Sequence, residues 1–252
     1  MLLKRVIPTL LLRNGSLIKT VNFEKFNYIG DPVNTVRIFN ELEVDELCFL
    51  DISATLQNRN PNYKVLSEIA DECFMPLSYG GGVKNLEQVK KIFGLGFEKI
   101  IINTAATINS KLIPKIVNLY GSQSVVGSID VKKTLFGSKR VFTHSGINKT
   151  NLNPLEWAVN LENMGVGEIL LTSINHEGRW AGYDYDLIKM ITNNVNIPVI
   201  ANGGCGSIEH IDKVLNNCGA QAAALGSLVV YQKQNMGVLI NFPDKLLLKQ
   251  II

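Results

Sequence analysis

The chain has 252 residues, 46% hydrophobic and 19% charged, with a net charge of +3. That composition supports a sizeable buried core and excludes a disordered chain, and the small charge with no dense Lys/Arg run excludes a nucleic-acid footprint. No apolar run approaches membrane-spanning length, the N-terminal MLLKRVIPTLLLRNG is not built as a signal peptide, and Cys48, Cys73, Cys205 and Cys218 are too scattered for a metal site, so a cytoplasmic protein with reduced thiols and no cofactor is expected.

In chain order, apolar β-rich runs begin near Arg5, Glu46, Pro76, Lys99, Ser124, Glu168, Ile197 and Gln221, reading VIPTLLL, LCFLDI, PLSYG, IIIN, VVGSID, ILLTSI, PVIANG and AAALGS. Their apolar character is near-continuous rather than alternating, as in a parallel sheet buried on both faces. Helical stripes lie between them. Val33, Val36, Phe39 and Leu42 form one. Leu86, Val89, Ile92 and Phe93 form another, with Asn85 and Gln88 spaced as an N-cap and its reciprocal partner. Ile208, Ile211, Val214 and Leu215 form a third, with Ser207 at the cap.

Residues 77–106 and 199–228 are two versions of one segment. Gly81-Gly82 matches Gly203-Gly204, Leu86-Glu87 matches Ile208-Glu209, and Asn103-Thr104 matches Gly226-Ser227. Val6 to Leu11 likewise matches Val125 to Asp130. Eight strands, about eight helices and this duplication predict a (β/α)8 TIM barrel of two (β/α)4 halves, with residues 1–252 as one domain. A doubly wound open sheet is the alternative, but its Gly fingerprint is missing after the first strand.

Barrel chemistry sits at the C-terminal ends of the strands. That rule selects Leu11, Asp51, Gly80 to Gly82, Asn103, Asp130, the turn from Asn175 to Gly178, Gly203-Gly204 and Gly226-Ser227. Gly-Gly turns let bare N–H groups approach an anion. Gly82 with Asn103-Thr104 is one candidate phosphate cradle, and Gly203-Gly204 with Gly226-Ser227 the other. The plainer reading is tight turn geometry. Two cradles at one mouth suit a ligand with a phosphate at each end. Asp130 ends a buried strand, where a charge is costly unless paired or used, so it is either a general acid or base or a structural acceptor. Symmetry asks for a carboxylate at position 11, where the chain has Leu11. At the opposite end, Arg5, Glu46, Lys99 and Glu168 stand at or near strand starts and could close a charge-balanced ring, or simply face solvent.

The stretches Asn22-Phe23-Glu24, Gly30-Asp31-Pro32, FLDI, YGGGV, INTAA, SID, FTHSG, GEILLTSI, EGRWAGYD and IANGGCG resemble the cyclase subunit of imidazole glycerol phosphate synthase over essentially the full length. The resemblance implies a (β/α)8 barrel that takes ammonia from a glutaminase partner and cyclises a bis-phosphorylated ribosyl-formimino substrate. It implies one phosphate at Gly82, Asn103 and Thr104, and the other among Glu177, Gly178, Gly204 and Ser227. Asp130 would be the catalytic acid, Lys19, Asp51, Thr143 and Ser145 would line the cleft, and Arg5, Glu46, Lys99 and Glu168 would gate ammonia with Glu98 at a partner contact. The family's other catalytic Asp falls on Leu11, and the loop from Asn175 to Trp180 departs from the family's small polar loop, with Glu177 for Asp and a bulky Trp180 either packed or beside the mouth. An intact ammonia port with an altered mouth points to a redirected paralogue, and it resembles a group of such paralogues associated with bacterial surface polysaccharides and flagellar glycans, a resemblance that implies conversion of a sugar's N-acetyl group into an acetamidino group. A genuine cyclase subunit, or a non-catalytic ammonia conduit that activates a glutaminase, are the alternatives. A phosphosugar isomerase fits less well, since it also wants two opposed carboxylates.

Overall fold

The computed structural model describes residues 3–134 and 137–252. In chain order its strands are β1 (Arg5–Arg13), β2 (Ser16–Val21), β3 (Glu24–Gly30), β4 (Leu47–Asp51), β5 (Leu77–Gly80), β6 (Lys99–Ile102), β7 (Val125–Lys133), β8 (Lys139–Thr143), β9 (Asn148–Lys149), β10 (Glu168–Ser173), β11 (Val199–Asn202) and β12 (Ala222–Leu225). Its helices are α1 (Pro32–Glu41), α2 (Tyr63–Glu72), α3 (Leu86–Gly94), α4 (Thr104–Ile108), α5 (Leu112–Tyr120), α6 (Pro154–Asn163), α7 (Tyr185–Thr192), α8 (Ile208–Asp212), α9 (Ser227–Val230) and α10 (Lys245–Leu248).

Eight strands pair in parallel in the circular order β1, β4, β5, β6, β7, β10, β11, β12, and the β1–β12 and β7–β10 pairings leave no open edge. The expected (β/α)8 barrel is therefore present, and the doubly wound sheet is excluded. All eight expected strands fall where the apolar runs lie. Two hairpins were not anticipated: β2–β3 after the first strand, and β8–β9 after the fifth. Their residues alternate polar and apolar at the mouth, with little of the continuous apolar signal of the wall. β3, for example, is exposed over most of its length.

Period-2 alternation divides each strand's side chains between two layers. Val6, Leu10 and Leu12 join Phe49, Ile100, Ile129 and Leu171 in the large core between wall and helices. Ile7, Cys48, Ile101, Val126, Leu170, Ile200, Ala222 and Ala224 fill the barrel axis. At α3, Asn85 Oδ1 accepts from Gln88 N at 3.0 Å, but Gln88 Oε1 takes Lys84 N at 2.6 Å rather than the N–H of the cap itself. Ser207 stands at the start of α8 without a side-chain cap bond, and the stripe continues through a wider π-helical turn at Lys213–Asn217 that still buries Val214 and Leu215. Among the described residues no helix is long and apolar enough to cross a membrane.

Candidate active site

Above the axial core the barrel opens into a cavity of about 280 Å³ at the C-terminal ends of the strands. Leu11, Lys19, Asp51, Gly82, Asn103, Thr104, Asp130, Ser145, Glu177, Gly178, Gly203, Gly204, Gly226 and Ser227 all line it. Thr143 does not. It is buried on β8 with its hydroxyl 3.0 Å from His144 Nδ1, because strand alternation turns it away from the mouth. Trp180 is also absent from the lining. It is half-buried, and its backbone packs on Gly206, where an added Cβ would come within 2.3 Å of the Trp180 carbonyl oxygen.

Asp130 is buried among neutral partners, with Asn103 Nδ2 donating to its Oδ2 at 2.9 Å. Burial raises its pKa from the ordinary 3.8 to about 7, against the opposing pull of hydrogen bonding from Thr172 and Asn103. A carboxyl half-protonated near neutrality is suited to giving or taking a proton. Leu11 sits half-buried in the lining on β1 and has nothing to ionise. Asp51 is differently employed. Its Oδ1 accepts from Ser53 N at 3.0 Å, Ser53 Oγ at 2.9 Å and Ala54 N at 3.0 Å, while Arg59 Nη2 lies 2.8 Å from Oδ2. These bonds fold the 53–59 loop over β4 and leave Asp51 a structural anchor at the rim.

The second cradle is tied to the first hairpin. Lys19, buried on β2, pairs with Glu177 Oε1, and its Nζ also donates to Thr20 O at 2.9 Å. Glu177 Oε2 takes Phe23 N at 3.0 Å, and the Glu177 carbonyl takes Asn22 N at 2.9 Å. The extra methylene of Glu over Asp lets one carboxylate reach both the ammonium and the turn. Gly203 and Gly204 hold φ of 92° and 112°, and a Cβ on Gly204 would meet the Gly182 carbonyl oxygen at 2.1 Å. A Gly204→Val change would therefore distort the loop and cannot serve as a clean probe of ligand binding. The first cradle is partly used internally. Gly82 N donates to Thr55 Oγ1 at 3.3 Å, Thr104 Oγ1 accepts from His144 N at 3.0 Å, and Ser145 Oγ donates to Ile52 O at 2.7 Å.

At the other end, Arg5, Glu46, Lys99 and Glu168 close a ring. Arg5 lies 2.8 Å from Glu46 and 3.1 Å from Glu168, and Lys99 lies 3.1 Å from Glu46 and 3.2 Å from Glu168. Each is the inward residue of its strand's alternation, which points all four at the axis. Burial weakens the Arg5 charge, but Glu168 and Glu46 outweigh it and raise its pKa. Glu98, next to the ring, is exposed. Directly above the ring a cavity of about 10 Å³ is bounded by Glu46, Cys48 and Ser78, with Thr9 and Ile101 shared with the mouth above. That is about one water-sized site.

Several lining residues escaped sequence reasoning: Thr9, Ser128, Thr172 and Asn202 inside, and Phe23, Phe26, Leu56 and Ile147 at the rim. For those inside, strand alternation counted from Asp130 or from the ring residues is the signal that finds them. The rim residues lie on hairpins and loops and carry no such signal.

An eight-stranded barrel whose C-terminal mouth opens into a mostly apolar cavity with a few converging polar groups belongs to the (β/α)8 enzyme class. A family model described as histidine biosynthesis protein matches residues 5–235. The chain is 50% identical over 244 residues to a Pseudomonas aeruginosa protein provisionally named imidazole glycerol phosphate synthase subunit hisF2, with 97% of each chain covered. It is 45% identical over 246 residues to a Leptospira interrogans protein provisionally named imidazole glycerol phosphate synthase subunit HisF, again with 97% of each covered. It is 40% identical over 237 residues to the imidazole glycerol phosphate synthase subunit HisF of Chlorobium phaeovibrioides, with 94% of each covered. The chain belongs to this family of HisF-like synthase cyclase subunits and is an enzyme subunit of that type.

Proposed function

We propose that this chain is the ammonia-using synthase subunit of a glutamine amidotransferase complex, redirected from imidazole formation to the conversion of an N-acetyl group on a phosphorylated or nucleotide-linked sugar of a surface glycan into an acetamidino group. The observation that carries the reading is Leu11, which takes the cavity position symmetric with Asp130 and supplies no proton. Cyclisation asks for proton donation and abstraction from opposed sides. Ammonia addition to an acyl carbon whose oxygen already carries a phosphoryl or nucleotidyl group from a nucleoside triphosphate asks for less: the nitrogen bonds to carbon, the carbon–oxygen bond breaks with the oxygen leaving on phosphate or nucleotide, and the excess proton on nitrogen is taken by one nearby group. Asp130, with a pKa of about 7, is suited to that single task.

The ammonia route is supported by the closed ring of Arg5, Glu46, Lys99 and Glu168 and by the water-sized cavity behind it. We place a glutaminase partner on that face, in contact with Glu98. The two cradles, at Gly82, Asn103 and Thr104 and at Gly203, Gly204, Gly226 and Ser227, would hold the acceptor's phosphates, with Lys19 as the cation beside Gly226. The pairing of Lys19 with Glu177 makes the second cradle close to neutral until ligand competes for the ammonium.

A second reading is favoured by the 40% identity to the Chlorobium phaeovibrioides subunit together with Asp130 in place: a genuine imidazole glycerol phosphate synthase cyclase subunit. The test is turnover of the histidine-pathway bis-phosphate substrate by the unmutated chain with saturating ammonia. A rate at least about 100-fold below an ordinary cyclase is expected, in line with the loss of one positioned acid or base. A rate equal to an ordinary cyclase establishes the second reading instead.

A further inference from the structure

Four adjacent wall strands set a row of apolar residues level with one another in the mouth, above Thr9. Leu11 on β1 is the Cα partner of Leu50 on β4, Leu50 of Gly80 on β5, and Gly80 of Ile101 on β6. All four line the cavity. Gly80 has no side chain there because a Cβ would meet Leu50 Cδ2 and Ile101 Cβ, each at 3.0 Å. Those two aliphatic side chains close over its bare Cα and make the wall continuous from Leu50 to Ile101. The wall across the cavity is polar. Asp130 on β7 is the Cα partner of Thr172 on β10, and Thr172 of Asn202 on β11. Asn202 Nδ2 donates to Thr172 Oγ1 at 3.0 Å, and Asn103 Nδ2 to Asp130 at 2.9 Å. Thr9, two residues below Leu11 on the same strand, and Ile101 form the shared boundary with the small cavity beneath.

We infer that the wall of Leu11, Leu50, Gly80 and Ile101 is a binding site for the methyl of an acetamido group, and that Leu11 sets the length of acyl chain the enzyme accepts. The inference rests on the reading under Proposed function. A chamber with an aliphatic wall and a facing row of hydrogen-bonding groups matches a ligand whose apolar and polar ends are one bond apart. An acetamido group is such a ligand, with CH3 on one side of the acyl carbon and oxygen and nitrogen on the other. Its methyl against Leu11, Leu50 and Ile101 places the acyl carbon above Thr9, at the boundary with the lower cavity, with its heteroatoms toward Asp130 and Thr172. A polyhydroxylated ribulosyl chain in the same position would bury hydroxyl groups against Leu11, Leu50 and Ile101 without partners, a cost that disfavours it.

The experiment is isothermal titration of the full chain with UDP-N-acetylglucosamine and its N-formyl and N-butanoyl analogues, alongside the Leu11→Ala and Leu11→Asp variants. The unmutated chain is expected to bind the acetyl ligand about 4-fold more tightly than the formyl one, the value of one buried methyl, and to discriminate against butanoyl. Leu11→Ala should bring butanoyl to parity with acetyl or better, and Leu11→Asp should erase the preference for acetyl over formyl. An acyl-methyl contact to a labelled Leu11 methyl in an isotope-filtered NMR experiment is the second readout, independent of any variant's folding. Equal affinity for formyl and acetyl, no shift of the length preference in Leu11→Ala, or no binding of any of the three ligands overturns the inference. Cyclase turnover is a separate measurement. An ordinary cyclase rate with the acetyl preference intact sinks the redirected reaction and leaves the methyl site, whereas a poor cyclase without the preference sinks the methyl site alone.

Discussion

The two halves of the barrel share a chain path and oppose each other in chemistry. Each opens on a nine-residue strand followed by a hairpin, β1 with β2–β3 and β7 with β8–β9. At equivalent heights the first half offers Leu11, Leu50, Gly80 and Ile101, and the second offers Asp130, Thr172, Asn202 and Ala224. Duplication conserved the backbone that builds two cradles, while the side chains between them diverged into an apolar wall and a hydrogen-bonding wall. The difference locates proton chemistry in the second half and leaves the first to shape and exclude water. A desolvated Asp130 follows from the arrangement, since an apolar wall across the chamber offers its charge no compensation.

The comparison can be broken at several points. The largest effect is expected from Asp130→Asn, which keeps shape and the bond to Asn103 but cannot exchange a proton. Ammonia-dependent turnover of the native reaction should fall about 10²–10⁴-fold, and the inflection near pH 7 in the pH–rate profile should vanish. A profile unchanged by the substitution would remove Asp130 from proton transfer.

Next comes Lys99→Glu. It would place three carboxylates around Arg5, and product formation from glutamine should fall at least about tenfold while the rate with free ammonia stays within about twofold. The ring is only partly buried, so the accompanying loss of stability should be roughly 1–3 kcal/mol, below that of a fully buried pair. Equal losses with glutamine and with ammonia would place the defect in folding rather than in delivery.

Leu11→Asp sharpens the comparison by restoring symmetry. It should recover about 10-fold of cyclase activity on the histidine-pathway substrate, short of the full contribution of a positioned acid because Glu177 and its loop also differ. No gain at all would show that the two halves diverged too far for one carboxylate to reconnect them.

The smallest effect is on stability. Because the folded pKa of Asp130 is raised from 3.8 to about 7, the folded state binds the proton more tightly than the unfolded chain. Its contribution is therefore most favourable below about pH 4 and is lost as pH rises through 7. Asp130→Asn should flatten that slope and be more stable than the unmutated chain at pH 8 by roughly 1–3 kcal/mol in denaturant titrations. An identical pH dependence in both proteins would mean the carboxyl is solvated in solution.

By itself the sequence determined the barrel, its duplication and most of the mouth. Continuous apolar runs separated by helical stripes admit few parallel folds, and residues at strand ends converge once the barrel closes. The ring could be nominated but not decided, since a strand-start charge faces solvent or axis according to a pleat that only the paired register reveals. Tertiary structure alone decided three further matters. It turned Thr143 away from the cavity, since an unforeseen hairpin sets Phe142 opposite Asp130 and so gives Thr143 the other face. It consumed the charge of Asp51 in Arg59 of the following loop, and that of Lys19 in Glu177, a pairing that joins position 19 to 177 and has no local signature. And it set Leu11, Leu50, Gly80 and Ile101 side by side on neighbouring strands, an apolar wall whose members are far apart in the chain and meet only because cross-strand register brings them level.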